Sequence, residues 1–213
     1  MKKVVDRCNK MEFSSLNELF EAWKNAQINE IEWENTFPKK YENGQPIIPP
    51  EEFKGSFCVD GFLSDKFNGV LFILKESNTD GEYKGTFWFK DCENQKGWKK
   101  YKNALEFYLK KLSLNDESYK NCAYMNLNKR GGYGRCDENQ LGEYVKKYKH
   151  FIANEIEIIK PTYIVCCGAN IIFELIKEII TEYKIKGITL YDGYHPAYPS
   201  YRKKEWIRTE TLN

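Results

Sequence analysis

The stretch "PTYIVCCGANIIFELIKEIITEYKIKGITLYD", residues 161–192, decides the fold. Its first apolar run, 162–168, is short and continuous and ends in a glycine. Such a run, bounded by turn residues, reads as a strand buried on both faces. Residues 169–184 then follow helical spacing, and "GITLYD" (187–192) is a second strand. A strand, a helix and a strand joined by connections too long for a hairpin make a parallel pair with a crossover.

The same alternation continues upstream. "GVLFIL" (69–74) is a buried strand after an Asn-Gly turn, and "CAYMNL" (122–127) is another. Residues 97–114 carry Tyr101, Leu105, Tyr108, Leu109 and Leu112 at helical spacing. A further helix is capped at Asp137, shows Leu141, Val145, Tyr148, Ile152, Ile156 and Ile159, and stops at Lys160-Pro161, as a proline demands. Residues 14–29 form an amphipathic helix with a serine cap and a stripe of Leu16, Leu19, Phe20 and Trp23. "FPKKYENGQPIIPPEEF" (37–53) holds four of the seven prolines and reads as a surface connection rather than a strand. The expectation is an α/β chain, a three-layer α/β/α arrangement around a central four-stranded parallel sheet. It forms a single domain over 1–213, with a helical and loop extension (1–60) on a core (61–213).

The composition, 41% hydrophobic and 30% charged, excludes a disordered chain. No apolar stretch approaches the ~20 residues of a membrane span, and the first residues show no secretion signal. Seven cysteines, an odd number without framework spacing, suit a reducing compartment, so the expected address is the cytoplasm. The net charge of +2 decides little, because basic residues can gather on one face of a nearly neutral chain. Lys-Lys doublets, among them Lys39-Lys40, Lys99-Lys100, Lys110-Lys111, Lys146-Lys147 and Lys203-Lys204, read mostly as solvated helix faces. A monomer is the default.

In parallel sheets the working residues lie beyond the carboxyl ends of the strands. There the sequence offers "KESNTDG", "NLNKRGG" and "DGYHPAYPS". Glu76 follows the first strand, where a carboxylate is oriented and partly desolvated. Asn126 ends the second, and its amide both donates and accepts, which suits reading the edge of a heterocycle. His195 ends the fourth, placed to give a hydrogen bond or a positive charge to a leaving group. Taken singly, such a Glu is more often a cap or ion-pair partner, and such a His a satisfied loop residue. Together they fit the breaking of an N-glycosidic bond.

Three segments resemble the uracil-DNA glycosylase superfamily, over roughly residues 69–202. "LFILKESN" lies where that family has its first motif, with Glu76 at the catalytic acid or amide. "AYMNLNKRGG" places Asn126 at the base-reading asparagine, and "HPAYPSYR" follows the last motif through His195, Pro196 and Arg202. The resemblance implies a monofunctional DNA glycosylase that flips a uracil-like or 5-modified pyrimidine and leaves an abasic site, in DNA repair or in defence against phage with modified DNA. Its partner would be single- or double-stranded DNA carrying the target base.

Leu74 stands at a motif glycine and Glu76 is a methylene longer than the family's aspartate, so the acid role falls on Glu76 or on Asn78. Asn78 also takes the place of a tyrosine that blocks 5-methyl groups, which opens the C5 side of the pocket. Phe87 or Phe89 is the expected stacking partner of the base, and Tyr198 the wedge filling the gap. Lys129, Arg130, Arg135 and Arg202 are the expected phosphate contacts. Some branches of the family bind an iron–sulfur cluster; Cys8, Cys58, Cys92, Cys122, Cys136, Cys166 and Cys167 do not reproduce that spacing, so no metal or cofactor is expected. The alternatives are a non-catalytic module for modified or damaged nucleic acid, or an N-glycosidase acting on nucleosides or nucleotides.

Overall fold

The computed structural model describes residues 13–36, 40–42, 45–47, 51–78, 84–87, 89–90, 98–114, 118–132, 136–198 and 206–213. Helix α1 (Leu16–Ile28) is capped by Ser15, whose side chain accepts from the backbone N–H of Glu18, while Glu18 accepts from Ser14. Strands β1 (Lys40–Glu42) and β2 (Gln45–Ile47) pair antiparallel. The proline-rich connection, expected to hold no strand, therefore contains a small antiparallel pair; as a separate two-stranded sheet it has only edge strands, where a proline such as Pro46 is tolerated.

The remaining elements are β3 (Phe57–Val59), β4 (Gly61–Phe62), β5 (Val70–Asn78), β6 (Lys84–Phe87), α2 (Trp98–Leu112), β7 (Ala123–Gly132), α3 (Glu138–Ile159), β8 (Tyr163–Cys167), α4 (Ile171–Tyr183), β9 (Ile188–Gly193) and β10 (Arg208–Leu212). Asp137 caps α3 by accepting from the N–H groups of Asn139 and Gln140. Lys160 ends that helix in the left-handed region at φ 54°, before Pro161.

The main sheet is six-stranded and mixed, in the order β10-β9-β8-β5-β7-β4. Its four central strands run parallel, and β10 and β4 close the two edges antiparallel. The expected count of four is thus corrected to six. β4 has two residues and β10 reads "RTETL", so neither has the apolar run that announces a buried strand.

Alternation along β5 feeds two cores. Leu71 and Ile73 join Leu19, Phe20 and Trp23 of α1, Ile152 and Ile156 of α3, and Phe173 and Ile176 of α4. Val70, Phe72 and Leu74 join Ala104, Leu105, Tyr108 and Leu109 of α2. Cys166 and Cys167 fall one in each core, as expected for adjacent strand residues.

Candidate functional site

From β5 the chain passes to β7 on one side and then to β8 on the other. The strand order therefore reverses between β5 and β8, and the carboxyl ends of strands flanking such a reversal frame a crevice. Lys75 and Glu76 stand at this end of β5, and Gly168 directly follows β8. A Cβ at Gly168 would lie 2.6 Å from Ile172 and 3.2 Å from the Lys75 Cε, so glycine is what lets the lysine stem cross the end of β8. The Lys75 ammonium pairs with Glu138 at 2.8 Å, in the first turn of α3.

Glu76 is largely withdrawn from water. Burial pushes its carboxyl up to about 8, against the pull of the Asn128 amide, the Lys75 charge and the Cys136 thiol that face it; Asp137 adds to the rise. Its Oε1 is buried with no hydrogen-bond partner. The Cys136 thiol is itself pushed up to about 12, by burial and then by Glu76, so it is no nucleophile at neutral pH.

His195 lies past the end of β9, two strands from Glu76. Its ring sits edge-on to Tyr101 at 5.6 Å and to Tyr198 at 5.9 Å. Nδ1 accepts from the Ala197 N–H at 3.2 Å, which leaves the proton on Nε2 as a donor. Burial pushes the ring down to about 4, helped by the charges of Lys75 and Lys100. A neutral imidazole offers a hydrogen bond and no positive charge, so only the first of the two expected roles fits. Lys75 is the common electrostatic neighbour of Glu76 and His195.

Asn126 is the fourth residue of the ten-residue β7 and pairs in register with Leu74, so it does not end the strand as expected. The asparagine opposite Glu76 is Asn128. Both asparagines are about 1% exposed. The backbone N–H of Asn126 donates to Asp60 Oδ2 at 2.6 Å, and its Nδ2 donates to Asp60 Oδ1 at 3.2 Å.

Two expected phosphate contacts are corrected. Lys129 is fully buried, its ammonium held between Asp60 and Glu155, with Glu155 at 2.8 Å. Burial alone would lower the Lys129 ammonium, but the two carboxylates hold it charged; burial in turn raises both carboxyls, Glu155 to about 7. Arg130 is also fully buried: it pairs with Glu30 at 2.6 Å and donates to Thr36 and to the Gln27 carbonyl. Glu30 further accepts from Lys147 and Tyr148. These cations balance interior carboxylates contributed by the N-terminal segment (Glu30 and Asp60) and by α3 (Glu155), partners that spacing along β7 does not reveal. The Gly131 N–H donates to Ser56 Oγ, so it too is engaged internally.

Phe89 is likewise corrected as a base-stacking partner. Its ring is 1% exposed, with one face against Tyr124 at 3.8 Å and Trp98 edge-on at 4.9 Å. Tyr198 is 64% exposed, as a wedge residue would be. The side chains of Asn78 and Phe87, together with Arg135 and Arg202, lie outside the described part of the structure. Among the described residues no group of His, Cys, Asp and Glu is set to hold a metal ion, and no helix is long and apolar enough to cross a membrane. A groove of about 750 Å³ lined by Ala22, Ala26, Ile31, Lys147, His150 and Phe151 includes none of the expected site residues.

Lys75, Asn128 and Asp60 are the participants that sequence reading missed. "YMNLNKRGG" does carry two asparagines two residues apart, which alternation puts on one side of the strand, and only the pairing register separates them. No family model and no curated protein matches the chain.

Proposed function

We propose that the chain is an N-glycosyl hydrolase, a DNA glycosylase that removes a uracil-like or 5-modified pyrimidine base, on a three-layer α/β/α fold. The observation that supports it is the crevice at the strand reversal. A desolvated carboxyl (Glu76), a lysine (Lys75), the amide of Asn128 opposite Glu76 and the neutral Nε2–H donor of His195 lie at the carboxyl end of its strands, with the amide of Asn126 two residues deeper along β7.

In this reading the ionised form of Glu76 holds the attacking water or offsets charge on the sugar as the bond to the base lengthens. About a tenth of Glu76 carries charge at pH 7 with a carboxyl at 8. His195 donates through Nε2 to the departing base, and Asn126 holds the base edge. Tyr198, exposed one turn beyond His195, enters the gap left in the stack.

One observation favours a nucleoside or nucleotide as substrate instead: Lys129 and Arg130, half of the expected phosphate ring, are internal. Incubating the protein with base-substituted oligonucleotides and with the matching mononucleotides separates the two. Alkali-labile sites in the oligonucleotides support the polymer substrate. Base release from mononucleotides alone moves the assignment to the smaller substrate, and no release from either removes the hydrolase reading.

A further inference from the structure

The two ends of an asparagine amide have nearly the same shape, so what surrounds Asn126 decides which one a ligand meets. Asp60 faces that amide with a carboxylate, whose oxygens accept. A carboxylate beside an amide oxygen is repelled, so the Nδ2 end must turn to Asp60, at 3.2 Å. Asp60 cannot swing away, because its Oδ2 also accepts from the Asn126 backbone N–H at 2.6 Å and from the buried Lys129 ammonium. Lys129 is in turn tied to Glu155 at 2.8 Å. What remains is Asn126 Oδ1, a buried acceptor with no donor among the described residues. A buried acceptor without a partner is costly, and a ligand that brings a donor to it relieves that cost.

We infer that Asp60 is a positioning residue that fixes the hydrogen-bond polarity of Asn126 and makes the site selective for bases bringing a ring N–H, the 4-oxopyrimidines with or without a 5-substituent. The inference rests on the glycosylase reading for its ligand, but the lock itself does not. A 4-oxopyrimidine presents its N3–H to Oδ1. A 4-aminopyrimidine presents a bare ring nitrogen, whose lone pair opposes that of the amide oxygen. Asp60 stands outside all three segments that carry the family resemblance.

The substitution Asp60→Asn tests this. It keeps the side chain's size and leaves Lys129 paired with Glu155, but the Lys129 ammonium and the Asn126 backbone N–H claim the oxygen of an amide at position 60, so its NH2 end faces Asn126 and favours the amide oxygen turning inward. Glu155→Gln is the control, since it perturbs the same buried cluster while leaving Asp60 on Asn126. The first readout is excision of a 4-oxo relative to a 4-amino pyrimidine carrying the same 5-substituent in one oligonucleotide. The native protein is expected to favour the 4-oxo base at least about tenfold, the span of one good base-edge contact. Asp60→Asn is expected to erase most of that ratio, and Glu155→Gln to keep it.

The second readout is exchange of the Asn126 side-chain amide protons by NMR, which should be slow in the native protein and in Glu155→Gln and fast in Asp60→Asn. A native preference for the 4-amino base, or an equal loss of rate on both bases in Asp60→Asn, overturns the selectivity. Fast exchange in the native protein overturns the lock. Slow exchange with no base released under any condition upholds the lock and sinks the glycosylase reading.

Discussion

Replacing Glu76 with glutamine should stabilise the protein, and do so more strongly as pH rises. Burial raises the Glu76 carboxyl from its ordinary 4.5 to about 8. Between those values the unfolded chain has released the proton and the folded one still holds it, so Glu76 subtracts stability progressively as pH climbs. At 1.36 kcal/mol per unit, the loss is slightly under about 1 kcal/mol at pH 5 and about 4 kcal/mol at pH 8. Glutamine removes this dependence while keeping the shape. The other titrating groups, Glu155 and His195 among them, are common to both proteins and cancel in the comparison.

The assay is urea unfolding of both proteins at pH 5 and pH 8. The stability difference should widen by about 3 kcal/mol, or about 1.5 M in midpoint for a slope near 2 kcal/mol/M. An equal difference at the two pH values would refute the desolvated carboxyl, and with it the reason for placing Glu76 at the centre of the site.

Three further outcomes follow from the geometry. The His195 ring should titrate with a midpoint near 4 and stay the Nε2–H tautomer above it, as read from its ¹⁵N shifts; a midpoint near 6.5 would mean an exposed ring. Arg130→Met should cost about 3–5 kcal/mol in denaturant unfolding, because it leaves the buried Glu30 short of a partner. The salt dependence of DNA binding should not change with it, and a flatter slope would put Arg130 on the phosphates after all. Tyr198→Ala should alter stability by no more than about 0.5 kcal/mol. It should slow base removal from duplex more than from single strands, and equal slowing would count against a wedge.

The central parallel strands were legible because their apolar runs, caps and breakers are local signals. Val70–Asn78, Tyr163–Cys167 and Ile188–Gly193 each contain such a run, and Asp137 and Lys160-Pro161 mark the ends of α3. β4 and β10 were not, because their residues alternate or are too few to show burial, and partner strands create them. The site was half legible for a related reason. The rule of strand ends led to Glu76 and His195, but the register that puts Asn128 opposite Glu76 depends on pairing between strands far apart in the chain. The misreading of Lys129 and Arg130 has the same root: their carboxylate partners are Glu30, Asp60 and Glu155, and nothing in "NLNKRGG" signals that the N-terminal segment folds over them.

The decisive measurement is release of free base, followed by mass spectrometry in single turnover from an oligonucleotide holding one 5-substituted uracil. Free base and abasic strand should appear in equal amounts with the native protein. The rate should fall at least about a hundredfold with Glu76→Gln and with His195→Ala, the usual scale of a positioned acid–base group. No base released, or release that persists unchanged in both variants, would contradict the glycosylase reading.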